Sequence, residues 1–179
     1  MLPLIRFSLG VLVALSVAAS ARADVVDQSS AGFTVKLSAP VAAPATVVYD
    51  TLVSKVSQWW NPAHTWSKQA SNLSIDTNPG GCFCEKLPNG GVRHLTVLYA
   101  DAGKVLRLSG GLGPFQDMAV TGVLTFLFTE KAGATTVDVT YRIGGYLPTG
   151  PDMLGKAADG MLSEQLQRLK RFVETGRAE

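Results

Sequence analysis

Between Trp59 and Glu85 the chain reads WWNPAHTWSKQASNLSIDTNPGGCFCE, and this stretch holds all three tryptophans, both cysteines and one of the two histidines of a 179-residue sequence. Thiols, an imidazole and a carboxylate crowded among aromatics offer three kinds of chemistry: thiol–disulfide exchange, metal ligation, and acid–base work against a pocket wall. Cys82 and Cys84 flank Phe83, so in a strand both sulfurs leave one face and Phe83 leaves the other. Extended geometry puts their Cα atoms roughly 6.6 to 6.8 Å apart, at the outer limit of roughly 6.8 Å for a disulfide. A bridge therefore requires local bending and closes little chain entropy, although an oxidising compartment favours it. Strain in such a bridge would make it reducible, which is the basis of a redox reading.

Two thiolates with imidazoles also form a zinc or copper ligand set, here Cys82, Cys84, His64 and His94. Whether His94 can join depends on the hairpin between it and the cysteines. The sequence Pro88-Asn89-Gly90-Gly91 favours a turn at Asn89-Gly90, which pairs Leu87 with Val92 and sets Glu85 opposite His94, with Phe83 and Thr96 beside them. An odd-length loop or a bulge would instead carry His94 to the cysteine face. In the even register, Glu85 and His94 are either an acid–base pair whose pKa values burial can tune or a polar cross-strand pair with a structural role.

Around these residues the chain predicts a strand, two short helices, a run of strands and a long final helix. Gly32 to Ala39 alternates, with Phe33, Val35 and Leu37 on one face. Pro44 opens a helical pattern through Val47, Val48, Thr51 and Leu52, and Pro62 ends a short helix containing Trp59 and Trp60. From Leu73 to Ile143, strand-like runs are separated by turn signals, the spacing of an antiparallel meander of about half a dozen strands. From about Pro151 to Thr175, Leu154, Ala158, Met161, Leu162, Leu166, Leu169 and Val173 form an apolar stripe stopped by Gly176. Such an order makes an α+β domain in which the sheet curls around the last helix. The glycine-rich SGGLGPFQD, from Ser109 to Asp117, lacks the lysine of a phosphate loop and reads as a flexible or bulged strand connection, a candidate cavity lip.

The front of the chain carries Arg6, an apolar run from Phe7 to about Ala19, and Ala21-Arg22-Ala23 before Asp24. This is the layout of a secretory signal peptide over residues 1–23, cleaved after Ala23, leaving one domain over 24–179 with no stable membrane span. Loss of Arg6 and Arg22 removes the whole formal charge of +2, so the mature domain is neutral, which argues against nucleic acid as a partner. Nothing in the chain matches a dinucleotide fingerprint or a nucleophile elbow, and no cofactor is expected.

The order of elements, with WWNPAHTWS after the first helix and GGCFCE at a strand start, resembles the START-like (SRPBCC) superfamily, and more narrowly its branch of polyketide cyclases and chaperone-ATPase activators. The resemblance covers Phe33 to about Val173 and implies a helix-grip fold: a bent antiparallel sheet around the C-terminal helix, with an elongated apolar cavity between them. It places Trp59, Trp60, His64 and Trp66 near a cavity mouth and Gly80, Gly81, Cys82 and Phe83 at the start of a strand. Cysteines on both sides of that aromatic depart from many relatives, and a leader argues against service to a cytosolic chaperone.

Three readings follow. In the leading one, an exported, periplasmic domain binds a small apolar or amphipathic molecule through Trp60, His64, Trp66, Phe83, Thr96 and Met161. A second makes it a cavity enzyme of cyclase or hydrolase type with Glu85 and His94 as acid and base, and a third a metal or redox module on Cys82 and Cys84.

Overall fold

The computed structural model describes residues 22–147 and 151–179. Eight strands form one antiparallel sheet: β1 (Arg22–Ser29), β2 (Gly32–Val41), β3 (Leu73–Ile75), β4 (Cys82–Leu87), β5 (Gly90–Asp101), β6 (Val105–Ser109), β7 (Val120–Lys131) and β8 (Ala134–Gly145). Helices α1 (Ala45–Ser54) and α2 (Val56–Trp59) join β2 to β3, and α3 (Pro151–Thr175) ends the fold. The spatial order is β1-β2-β8-β7-β6-β5-β4-β3, so the meander from β3 to β8 returns to lay β8 against β2. This is the helix-grip α+β fold expected from the order of elements, with α3 packed across β1 and β2.

Alternation explains the sheet. Along β8, Thr135, Val137, Val139, Tyr141 and Ile143 are buried while their neighbours are not, and along β2 the buried set includes Phe33, Val35, Leu37, Ala39 and Val41. Both strands thus give one apolar face to the concave side, where Ala158, Leu162, Leu166 and Leu169 of α3 cover it. Gly176 ends α3 in the left-handed region (φ 76°), its N–H donating to the Phe172 carbonyl at 2.9 Å.

Two elements differ from expectation. Strand β1 begins at Arg22, pairing with Ser38, and so runs across the proposed cleavage point; its exposed, weakly alternating edge carries little pattern in the sequence. The rest of the expected signal peptide, residues 1–21, lies outside the described residues. Trp60 follows α2 as its C-terminal cap, with an extended backbone, rather than lying within that helix.

Proline at position 44 leaves the start of α1 without a side-chain cap of its own. Glu130, at the far end of β7, supplies the missing acceptor: its Oε2 takes the Ala45 N–H at 2.8 Å, and a carboxylate at a helix N-terminus also complements the helix dipole. Glu130→Ala is expected to lower unfolding free energy by about 1 kcal/mol, read as a lower urea midpoint with unchanged slope.

Candidate functional site

A cavity of about 370 Å³ lies between the first half of α3, the segment from Trp60 to Lys68, strands β4 and β5, and the connection after β6. Its walls are mainly apolar, and its few polar side chains include His64, Lys68 and His94.

The Trp60–Lys68 wall is held from α3. Asn61 turns the chain into a single helical turn at Pro62–His64, its Oδ1 accepting the Ala63 N–H. Glu164 accepts from the Asn61 side-chain amide and engages His64 Nε2 at 2.8 Å, Gln165 Oε1 accepts the Asn61 N–H at 2.9 Å, and Arg168 Nε donates to the Trp59 carbonyl at 2.9 Å. Three polar residues of one helix face therefore fix the mouth segment. Burial acts to raise the Glu164 carboxyl, but bonds from Asn61 and His64 outweigh it and hold it below the ordinary value.

The tryptophans divide their roles. Trp59 is 2% exposed and its indole N–H is shared between the Thr51 and Leu52 carbonyls, a core position. Trp60 is buried beside the cavity, its indole donating to the His64 carbonyl and its ring edge-on to Phe83 at 5.3 Å. Trp66, 56% exposed, stands at the rim. On the opposite side the SGGLGPFQD connection forms a lip, with Leu112 and Phe115 buried in it. Tyr141 pins it by donating to the Gly110 carbonyl and accepting the Leu112 N–H, and Gly110 and Gly113 supply the positive φ angles the path requires.

Strand β4 presents Phe83 and Glu85 inward, and the hairpin that follows departs from the expected register. Its tip is Pro88-Asn89, so Leu87 pairs with Gly90 and Glu85 lies opposite Val92, not His94. A bulge then intervenes: Cys84 pairs with Arg93 and Phe83 with Leu95, leaving His94 as the extra residue on β5. The bulge switches strand parity between His94 and Leu95, so both adjacent side chains are buried on the concave face while Arg93 is exposed. His94 thereby stays on the side of Phe83 and Glu85 despite the bulge that was expected to move it away.

His94 Nε2 meets Glu85 Oε2 at 3.0 Å, with both side chains buried. The Glu85 carboxylate also accepts the backbone N–H groups of Trp66 and Ser67, which tie the mouth segment to the hairpin. Burial by itself would raise the Glu85 carboxyl; the bonds from Ser67, Trp66 and His94 prevail and hold it below the ordinary value. For His94, burial lowers the imidazole and the neighbouring carboxylate only partly restores it. Both directions favour an ionised carboxylate beside a neutral imidazole at neutral pH. Phe83 lies on the His94 ring at 5.1 Å between centroids, and Nδ1 of His94 is buried with no hydrogen-bond partner among the described residues.

Of the expected binding residues, Trp60, His64, Trp66, Phe83 and Met161 line the cavity together with His94. Thr96 does not: it pairs with Cys82 and borders a separate open depression between β5 and the lip. Glu85 sits behind His94 rather than in the lining. Leu112, Pro114, Phe115 and Lys68 are lining residues beyond those singled out in the sequence; the glycines around the lip were the available signal. Cys82 and Cys84 are bonded to each other, with Cα atoms 5.3 Å apart, the local contraction that an extended strand would not allow. Their sulfurs occupy the face opposite Phe83, and His64 is engaged by Glu164, so the four residues of the expected metal set do not converge.

No family model matches the chain, and no curated protein matches it. Solved structures do. EF2215 of Enterococcus faecalis, described as a conserved protein of unknown function, aligns with a TM-score of 0.58 at 18% identity over 87% of this chain and 78% of its own. DynU16, from the dynemicin biosynthetic locus, aligns with a TM-score of 0.58 at 20% identity, over 81% of this chain but only 48% of its own length. CalU16 of Micromonospora echinospora aligns with a TM-score of 0.55 at 11% identity over 88% of each chain. The likeness is one of fold, and fold and site together define a helix-grip domain with an apolar cavity.

The two pKa shifts act on stability in the same direction. A base lowered on folding and an acid lowered on folding both bind fewer protons in the native state, so each stabilises at high pH and loses its contribution as pH falls. The His94 contribution is complete above about pH 6.5 and fades toward its depressed folded value; that of Glu85 fades below about pH 4.3. Urea midpoints measured across this range should fall with acidification, and His94→Phe should flatten the upper part of the curve.

Proposed function

We propose that this chain is an exported helix-grip domain that binds a small apolar or amphipathic molecule in the cavity beneath α3. The observation that carries the reading is the cavity itself: about 370 Å³, within the usual range for small-molecule sites, walled by Trp60, Phe83, Phe115 and Met161 and supplied with few polar groups. Segments from five elements are braced to keep it open, which a core without a use for the space would fill. The leader-like residues 1–23 support delivery across a membrane. Native mass spectrometry of the gently purified protein should reveal carried-over ligand, and a hydrophobic fluorescent dye should bind saturably. Met161→Trp, which fills the space, should weaken the dye at least about tenfold with folding intact. Dye binding untouched by the filled cavity would defeat the reading.

A second reading has its own support. His94 lines the cavity and is hydrogen-bonded to Glu85 behind it, an imidazole with a carboxylate at its back, as an acid–base group in a cyclase-type or hydrolase-type cavity enzyme requires. Hydrolysis of a naphthyl ester above the buffer rate, abolished in His94→Phe, is the expected result; a rate unchanged by that substitution excludes the pair as catalyst.

A further inference from the structure

The imidazole of His94 is a buried polar side chain, 5% exposed, in the lining of a mainly apolar cavity, and its hydrogen-bonding state is determined by what lies behind it. Glu85 is ionised and therefore only an acceptor, already receiving two backbone N–H groups. Nε2, 3.0 Å from that carboxylate, must carry the ring's proton. A neutral ring has one proton, so Nδ1 is a bare lone pair. Among the described residues no group donates to it. Buried acceptors without donors are costly, and one held in place by a bulge and a buried carboxylate needs a partner. Phe83 lies against the ring, and Leu112 and Phe115 are among the other lining residues, so a ligand that fills the cavity takes the place of water at Nδ1 and must bring the donor itself.

We infer that His94 is the specificity-determining residue of the cavity, and that its ligand is an apolar, ring-sized molecule carrying an O–H donor, a phenol, enol or alcohol, which is accepted by His94 Nδ1. This rests on the binding reading above and narrows it. Plain hydrocarbons leave Nδ1 unsatisfied. Carboxylates and other anions bring no donor and face the buried Glu85 charge behind the ring. Glu85 is a positioning residue: it fixes which nitrogen holds the proton and does not touch the ligand.

Naphthol and methoxynaphthalene share a ring system and an oxygen, but only naphthol has a proton to donate. Titrated into the purified protein by calorimetry, naphthol should bind roughly tenfold more tightly, the size of one good hydrogen bond. In His94→Phe the preference for naphthol over methoxynaphthalene should be lost, whatever the absolute affinities. His94→Asn, whose Oδ1 takes the place of Nδ1, should recover part of the preference. Nitrogen NMR of the unmutated protein guards against a variant that fails to fold: the Nδ1 resonance should move with naphthol and not with methoxynaphthalene. Equal affinities in the unmutated protein, or an unmoved Nδ1 signal, overturn the inference while leaving apolar binding standing. If neither probe nor the hydrophobic dye binds, both proposals fall.

Discussion

One buried carboxylate holds the site together. Glu85 is 2% exposed, and removing an ionised carboxylate from water is tolerable only when its oxygens are filled. They are filled from two directions: backbone N–H groups of Trp66 and Ser67 in the mouth segment, and the imidazole of His94 on the next strand. Because a half-satisfied carboxylate would be far worse than none, these three segments are obliged to keep their relative positions. The cavity wall inherits that rigidity.

A second constraint acts through parity. A regular strand cannot turn two successive side chains to the same side. The bulge at His94 does so, giving the cavity an imidazole and the core Leu95 at once. Opposite the hairpin, α3 serves two purposes along its length: its earlier turns contribute Leu154, Ala158 and Met161 to the cavity, while Glu164, Gln165 and Arg168 grip the Trp59–His64 segment. The helix is therefore both wall and brace.

Much of this was legible in the residues and some was not, for identifiable reasons. Periodicity located α3 over Pro151–Thr175 and the alternating faces of β2 because both elements bury one continuous stripe. Chemical crowding pointed to Trp60, His64, Trp66 and Phe83 because large aromatics so concentrated have few places to go but a shared interior. Hairpin register escaped, since Pro88-Asn89 and Asn89-Gly90 are both credible two-residue tips and differ by a shift that preserves side-chain faces. The bulge escaped for a deeper reason: its signature is two adjacent inward residues, His94 and Leu95, of which only one is apolar. Thr96 was misplaced by the same missing residue of register. Edge strand β1, with little to bury, leaves almost no periodic trace.

The Cys82–Cys84 bond lies on the convex side of β4, directly behind Phe83, whose ring touches both Trp60 and His94. It draws together two Cα atoms on the strand whose partner carries the extra residue, so a covalent staple and a backbone irregularity sit back to back. Sulfur bridges persist in oxidising surroundings and are rare where thiols are kept reduced. Protein produced in a reducing cytosol would therefore lack the staple, and material recovered from such a source is not equivalent at the cavity to material matured where the bond can form.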